Sequence, residues 1–432
     1  MNEWKSTPWG KIPASWGITT IDEASELVTD YTSNGSFKSL ADNVKYYDKP
    51  EYAWMVRYTD FSKGFVGPFI FIDKNAYDFL SKTKLYGNEI LISNVGIIGG
   101  VFRCPRLYSK MSLAPNSILV KFKDSDDFYY YWLKSIYGQF MMDSLTIGSV
   151  QKKLSKTNFR KMLVPVPPIS TQNTIAEILQ SIDDKISVNS AINQNLLQQA
   201  NAILTSYFID FSRFNGSIPN DWESGTLQDI VDFSNGYAFK SKELLDAPEP
   251  GCYRVFKQGH INRGGGFNSG GTKSWYPINK CSTLTKYVLH KGDVLMAMTD
   301  MKDNVAILGN TALMTVDNQY IVNQRVGLLR SNGYKNTSYA YIYLLTNSFD
   351  FLKDLRSRAN SGVQVNLSST EIKNSPVWIA SENINEEFNS LTEPLLTMIM
   401  NNDNENQRLA ELRDTLLPKL MSGELDVSEI DV

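Results

Sequence analysis

The sequence has few of the residues that most often hold metals or carry out catalysis. Its 432 residues include three cysteines and two histidines, and the cysteines have neither zinc-site nor disulfide-framework spacing. No apolar run approaches the roughly 18 residues of a membrane helix, and residues 1–10 lack the apolar core of a signal peptide. The formal net charge of −3 shows no overall basic bias, so any nucleic-acid surface must be local. We expect a cytoplasmic protein of two or three domains.

Motifs of the common enzyme classes are also missing. The sequence contains no nucleophile elbow, zinc-protease motif, dinucleotide loop or amino-methyltransferase loop. The glycine-rich segment 264–274 lacks the lysine of a phosphate loop, and a flexible surface loop is the better interpretation. Glu371-Ile-Lys373 resembles the end of a nuclease motif, but no suitably placed Pro-Asp precedes it. A binding protein is therefore the stronger hypothesis, with no catalytic residue, metal site or cofactor in this chain.

The chain contains the same helical pattern twice. Apolar positions step by four and three from Ile175 to Tyr207, and the pattern recurs 213 residues later, from Phe388 to Leu420. Both copies carry two asparagines at matching seam positions, namely Asn189, Asn193, Asn402 and Asn406. An antiparallel alignment of the two helices pairs Asn189 with Asn406 and Asn193 with Asn402. Buried asparagines would fix the register of a coiled coil, whereas the alternative is polar gaps on exposed helices.

Shorter motifs repeat as well, and they predict two similar α/β domains. Ile-Pro-x-x-Trp precedes each domain, at 12–16 and again at 218–222. Apolar runs that follow a charged residue predict the buried strands 88–93 and 292–297. The further predicted elements are aromatic-rich helices over 128–137 and 337–349, and strands over 162–167 and 375–379.

Proline and hydroxyl residues predict where the long helices begin and end. Ser170 or Thr171 is a suitable N-cap for the first long helix, which at 1.5 Å per residue should span about 50 Å. Pro394 should kink or delay the second helix, and Pro418 should end it.

Local basic, amide-rich segments suggest how the chain binds its ligand. Segment 151–161 holds five cations, including Lys161, and no anion, and segment 354–366 is its counterpart in the second repeat. Cations could neutralise phosphates and amides could read base edges, although any one of them could instead belong to a solvated charged face. The candidate DNA-contacting residues are Arg57, Lys63, Asn94, Gln151, Lys152, Lys153, Lys156, Asn158 and Arg160 in the first repeat, and Lys302, Asn304, Gln324, Arg325, Arg356, Arg358, Gln364 and Asn366 in the second.

The helices match well between the repeats, whereas the loops of the α/β domains diverge. This combination suggests two related scaffolds that read two different targets. Two different readers held at a fixed spacing would suit a split sequence on duplex DNA.

The chain resembles the specificity (S) subunit of type I restriction–modification enzymes. Residues 164–179, beginning Val-Pro-Val-Pro-Pro, carry this resemblance together with Asp183–Ile186 and the closing segment 412–424. The resemblance implies a mixed α/β fold, with two target-recognition domains separated by an antiparallel coiled coil. The implied bounds are 1–168 for target-recognition domain 1, 169–211 for the central helix, 212–381 for domain 2, 382–424 for the C-terminal helix and 425–432 for a tail.

The resemblance also implies partners. The chain would bind double-stranded DNA at a bipartite site and dock two modification (methyltransferase) subunits, which use S-adenosylmethionine. Restriction subunits that use ATP and Mg²⁺ would join them, and none of this catalysis would belong to this chain. The alternatives are the specificity component of a related restriction system, a scaffold that joins two peptide-binding domains, and a nuclease built on Glu371 and Lys373.

Overall fold

The computed structural model describes residues 3–148, 152–301, 305–361 and 364–428, which form two compact units. Unit 1 comprises residues up to Asp184 and those from Ala410 onward, whereas unit 2 comprises Lys185–Leu409. The division falls inside both long helices, so each unit contains one α/β domain and part of each helix.

Unit 1 is an α/β domain built on two four-stranded sheets. Its strands are β1 Trp4–Thr7, β2 Gly10–Pro13, β3 Gly17–Thr20, β4 Ser25–Asp30, β5 Ala53–Val56, β6 Ile70–Ile72, β7 Lys84–Leu85, β8 Ile90–Ser93, β9 Val101–Arg103, β10 Met111–Leu113, β11 Ser117–Phe122 and β12 Leu163–Val166. Its helices are α1 Ile21–Ala24, α2 Phe37–Asn43, α3 Tyr58–Ser62, α4 Lys74–Phe79, α5 Asp126–Lys134, α6 Ile136–Ser144, α7 Lys156–Arg160 and the first part of α8 Ile169–Leu204.

Strand β8 shows why the sheets of unit 1 are covered on both faces. Successive side chains of a strand point to opposite faces, so an uninterrupted apolar run needs two apolar neighbours. Ile90 and Ile92 pack with α5 and with Ile175 of α8, whereas Leu91 packs with Trp54 of the second sheet. The central sheet has the order β4-β11-β8-β9, and the second has the order β6-β5-β10-β7.

Unit 2 repeats this construction with a four-stranded central sheet and a three-stranded second sheet. Its strands are β13 Glu223–Thr226, β14 Val231–Asn235, β15 Cys252–Phe256, β16 Trp275–Pro277, β17 Val294–Ala297, β18 Thr299–Met301, β19 Thr311–Leu313, β20 Tyr320–Val322, β21 Val326–Ser331, β22 Asn360–Ser361, β23 Gln364–Asn366 and β24 Pro376–Ile379. Its helices are the second part of α8, a π-helical turn at Thr205–Ile209, α9 Leu227–Ile230, α10 Tyr339–Thr346, α11 Phe349–Ser357, α12 Ser369–Lys373 and part of α13 Glu382–Ser422.

The two domains share one topology. The central sheet of unit 2 has the order β14-β21-β17-β19, which matches β4-β11-β8-β9 strand for strand. The second sheet of unit 2 has the order β16-β15-β20, in which β15 runs parallel to β20, as β5 runs parallel to β10. The faces also correspond, because Val294 and Met296 pack towards the helices whereas Leu295 and Ala297 pack towards the second sheet. The repeat that is weak in the sequence of the domains is therefore clear in their fold.

Helices α8 and α13 run antiparallel within each unit. In unit 1, Arg413 Nη1 donates to Asp183 Oδ1 at 2.7 Å. In unit 2, the Tyr207 hydroxyl donates to Glu387 Oε1 at 2.6 Å. Every heptad seam position from Ile175 in α8 to Tyr207 in the π-helical turn that follows is buried or half-buried. The predicted fold class, a repeated α/β domain with antiparallel long helices, is confirmed.

The two prolines of α13 do not interrupt it, which corrects our prediction. The helix is continuous from Glu382 to Ser422, through both Pro394 and Pro418. Burial of apolar residues near Pro394, such as Leu396 and Met400, outweighs the loss of the proline's backbone hydrogen bond. The helix ends before Gly423, whose φ of +72° is the left-handed conformation typical of a helix terminus.

Other predicted boundaries shift for local reasons. Strands β8 and β17 begin two residues later than predicted, because Asn88 and Gly292 adopt positive φ angles in the preceding turns. The first predicted aromatic helix is two helices, since the Ser135 hydroxyl accepts the Gly138 N–H and starts α6. Helix α8 begins at Ile169, so the predicted cap residues 170 and 171 lie in its first turn. Among the described residues, no helix is long and apolar enough to cross a membrane.

Candidate nucleic-acid interface

The loop that follows β8 is the centre of the candidate site in unit 1. Val95, two residues beyond the strand, forms an antiparallel bridge with Lys153 of the basic segment. Next to this bridge, Leu154 N–H donates to the Asn94 carbonyl at 3.0 Å. Lys153 itself is exposed, whereas the side chain of Asn94 is buried. The structure thus brings two predicted residues together, but it presents only the lysine to solvent.

A second loop, which contains α3, packs against the same place. Gly100 lies directly against the ring of Tyr58, where a Cβ atom would overlap the ring. Arg57, next to Tyr58, forms an ion pair with buried Asp60 and donates to the Pro68 carbonyl at 2.9 Å. Lys63, at the end of α3, is exposed. We call residues 57–68, 94–100 and 152–154 the unit 1 recognition loops.

The remaining basic candidates of unit 1 have partners within the protein. Lys156 binds Asp30 and Ser33 at 3.0 and 2.6 Å, and Asn158 donates to the Leu145 carbonyl at 3.0 Å. Arg160 donates to the Val28 carbonyl at 2.8 Å. Lys152 pairs with exposed Asp143 at 2.9 Å. The first three therefore hold α7 and its surroundings in place, and their part in binding DNA stays a prediction.

Unit 2 repeats the pairing of strand-exit loop and basic segment. Thr299, two residues beyond β17, pairs with Asn366 in an antiparallel ladder between β18 and β23. Asn366 lies 213 residues after Lys153, at the matching position of the second repeat. The Val95–Lys153 bridge and the Thr299–Asn366 pair are therefore the same contact in two copies, with a cation in one and an amide in the other.

Two further segments join this surface in unit 2. The Met298 N–H donates to the Arg325 carbonyl at 3.2 Å, which places the predicted Gln324 and Arg325 beside β18. Both of these side chains are exposed. The Gln258 side-chain amide donates to the Thr299 carbonyl from the turn that follows β15. We call residues 299–301, 323–325 and 364–366 the unit 2 recognition loops.

The two predicted arginines at the C-terminal end of α11 bind groups within the protein. Arg356 donates to the Leu308 carbonyl at 2.8 Å and to Asn310 Oδ1 at 3.1 Å. Arg358 binds Asp354 Oδ2, the Glu371 carbonyl and Ser375 Oγ, and so ties α11 to α12. Gln364 and Asn366 lie half-buried on β23. Gln151, Lys302 and Asn304 lie outside the described residues.

The sequence model of the type I restriction modification DNA specificity domain matches this chain twice, over residues 15–198 and 219–412. The chain belongs to this DNA specificity family. Its two matches coincide with the two copies of the α/β domain and long helix, so the internal repeat is a repeat of the family's own domain.

Relatives of the specificity family extend over the whole chain. The type I restriction enzyme MjaIX specificity subunit of Methanocaldococcus jannaschii is 23% identical over 99% of this chain and 98% of its own length. The MjaVIII specificity subunit of the same organism is 26% identical over 71% of this chain and 77% of its own. The type I S subunit structure from M. genitalium has a similar fold, with a TM-score of 0.57, 17% identity and coverage of 96% and 99% of the two chains.

The nuclease alternative finds no support in the contacts of its two residues. Glu371 accepts hydrogen bonds from Ser368 N–H and Oγ, at 3.0 and 2.9 Å, and so caps α12. Lys373 Nζ lies 5.8 Å from the ring centroid of Phe233. In the part of the chain that the structure describes, no group of three acidic, cysteine or histidine residues could hold a metal ion.

Two features of this specificity-family chain could not be predicted from its sequence. Gln258 was not a candidate, because its proximity to Thr299 depends on the folding of β15 against β20. His260, in the same turn, is buried against Phe256. Burial and the charge of Arg254 lower the pKa of this histidine to about 4, so it is neutral at physiological pH and supports the loop from within.

Proposed function

We propose that this chain is the non-catalytic DNA-recognition subunit of a type I restriction–modification complex and binds a bipartite duplex site. The observation that supports this most is the contact between strand-exit loop and basic segment, built twice on domains of one topology. Because the residues at the matching positions differ, we infer that each domain reads a different half-site.

The exposed residues of the recognition loops suit contacts with phosphates and base edges. Lys63 and Lys153 in unit 1, and Arg325 in unit 2, offer exposed cations that can replace condensed counterions on DNA. Gln324 could donate to and accept from a base edge, as amide side chains do with adenine. Phosphate contacts would then supply affinity that depends on salt, and amides would supply sequence discrimination.

Catalysis in this proposal belongs to partner subunits. Two modification subunits, which use S-adenosylmethionine, would methylate adenine after flipping it from the duplex. Restriction subunits that use ATP and Mg²⁺ would complete the complex. With a net charge of −3, the chain would share its DNA footprint with these partners, so we expect weak binding by the chain alone.

Dependence of methylation on this chain tests the proposal. Modification subunits of the same system are expressed in a host with no other specificity subunit, with or without this chain, and adenine methylation is measured. We expect sequence-specific methylation only when the chain is present, and co-purification of the subunits. Methylation that is unchanged without the chain, or no methylation with active modification subunits and the chain together, would overturn the proposal.

A further inference from the structure

Unit 2 contains a cavity where the helix pair meets the α/β domain. Its volume is about 270 Å³. Leu197, Leu396 and Met400 of the helices line one side, and Phe267, Leu313 and Tyr343 of the domain line the other. A cavity of this size can hold a small molecule. Its apolar walls would shield the apolar part of such a ligand from water.

Asp403 is the one carboxylate among the residues that line this cavity, whose other polar side chains there are amides and hydroxyls. Asp403 Oδ1 accepts a hydrogen bond of 2.8 Å from the Asn193 amide, which also lines the cavity. Among the described residues, no lysine or arginine lies within ion-pair distance of this carboxylate. Asp403 is half-buried, and burial raises its pKa to about 6, so at neutral pH a partly desolvated negative charge remains without a counter-ion.

The neighbouring carboxylate shows what Asp403 lacks. Glu405 accepts a hydrogen bond of 2.7 Å from the Asn189 amide, just as Asp403 accepts one from Asn193. Glu405 is also 3.3 Å from Lys185 Nζ and is not among the residues that line the cavity. Both carboxylates therefore accept a hydrogen bond from a seam asparagine, but only Glu405, which lies outside the cavity, also has a lysine within ion-pair distance.

Two hydroxyl groups add polar contacts. Thr315 lines the cavity, is 3% exposed, and its buried Oγ1 has no hydrogen-bond partner. The Tyr343 hydroxyl would lie 4.0 Å from a Cβ atom added to Gly266, so there is open space between these two residues. A buried hydroxyl without a partner loses free energy, which a ligand that donates to it would recover.

We propose that this cavity binds a small organic ammonium ion with an apolar body. The ammonium group would pair with the Asp403 carboxylate and donate to Thr315 Oγ1, while the body fills the space between Leu396 and Phe267. Such a ligand would contact both helices and the α/β domain of unit 2, and so stabilise their packing. This site is separate from the recognition loops and does not depend on the proposed function.

Binding of 2-phenylethylammonium by the full chain tests this inference, with uncharged 2-phenylethanol as the matched probe. We expect saturable binding of the ammonium ion by calorimetry, together with a raised melting temperature, and at least tenfold weaker binding of the alcohol. Asp403→Asn should weaken ammonium binding at least tenfold. Thr315→Val, which keeps the shape of the side chain, should weaken it several-fold.

The control variant is Glu405→Gln, which removes the equivalent carboxylate outside the cavity and should leave ammonium binding unchanged. If the wild-type chain does not bind the ammonium ion, or binds the alcohol equally well, the inference is wrong. It is also wrong if the folded Asp403→Asn and Thr315→Val variants bind the ammonium ion as the wild type does, since binding would then lie elsewhere.

Discussion

Polar side chains in the helix pair form more hydrogen bonds than the heptad pattern predicts. The heptad pattern predicted the four asparagines, and the structure shows Asn189 donating to Asn406 Oδ1 at 2.9 Å and Asn402 donating to Asn193 Oδ1 at 2.8 Å. The pattern did not predict Glu405 and Asp403, which accept further hydrogen bonds from the Asn189 and Asn193 amides. These acids flank the seam, and their direction depends on the rotation of each helix, which spacing alone does not determine.

Asn189 should contribute strongly to stability. It is 1% exposed and its amide donates to both Glu405 and Asn406. Asn189→Ala removes a buried donor from each of these two acceptors, so we expect a loss of about 1–3 kcal/mol in the free energy of unfolding. Chemical denaturation measures this loss. Gln198→Ala, an exposed position on the same helix, is the control and should change stability by less than about 0.5 kcal/mol.

Asp403 should make stability depend on pH in an unusual direction. Its pKa is raised from 3.8 to about 6, so the folded chain holds this proton more tightly than the unfolded chain. The contribution of this group to stability is therefore most favourable below pH 4, falls as pH rises to 6 and stays low above. Asp403→Asn, which can still accept from Asn193, should be more stable than the wild type by about 1–3 kcal/mol at pH 7.5.

Denaturation at pH 5 and pH 7.5 measures this effect without ligand. The gain in free energy of unfolding of Asp403→Asn over the wild type should be larger at pH 7.5 than at pH 5. Glu405→Gln should show no such increase with pH. An equal difference at both values would show that the Asp403 carboxyl is not desolvated as the structure indicates.

Packing, more than local sequence signals, sets the ends of the long helices. Pro418 predicted the wrong end for α13. The proline removes only one backbone hydrogen bond, and the burial of Leu420 and Met421 in unit 1 stabilises the helical turn that follows it. Gly423 marks the true end, with its φ of +72°. The sequence alone did not show whether the helix ends at Pro418 or at Gly423, because burial of the last turn depends on residues distant in the chain.

Gly423 should tolerate a side chain less well than a glycine of similar conformation. A Cβ atom on Gly423 would lie 2.6 Å from Pro13, whereas at Gly216, with φ +75°, the space is open. Gly216→Ala should cost only the strain of a left-handed residue, about 1 kcal/mol. Gly423→Ala adds a clash with the β2 strand and should cost about 1–3 kcal/mol more, as measured by thermal unfolding. Equal losses would mean that Pro13 moves away freely.

At the scale of the whole chain, the sequence predicted the repeat and the fold class but only part of the candidate site. Strands β8 and β17 could be found because apolar runs that pack on both faces are visible in the sequence. The roles of Arg356 and Lys156 could not be found, because their acceptors, the Leu308 carbonyl and Asp30, lie 48 and 126 residues away in the chain. Basic residues therefore indicated segments that pair with the strand-exit loops, while their individual contacts depended on the fold, and their part in binding DNA stays a prediction.

Exposed cations of the recognition loops should set the salt dependence of DNA binding by the assembled complex. Lys153→Ala and Arg325→Ala should each weaken binding several-fold near 0.1 M salt and reduce the slope of log affinity against log salt by about 1. Lys11→Ala, an exposed position on β2 outside these loops, is the control. Fluorescence anisotropy over a salt series measures the slopes, and slopes equal to that of Lys11→Ala would contradict the assignment of the loops.

The most direct test of the central claim is a map of methylated adenines in a genome where this chain is the only specificity subunit, made by single-molecule sequencing. We predict one split motif of two short, different half-sites around a fixed gap, with methyladenine in each half. A continuous methylated motif would contradict recognition by two separate domains. Two identical half-sites would contradict our inference that the diverged recognition loops read different sequences.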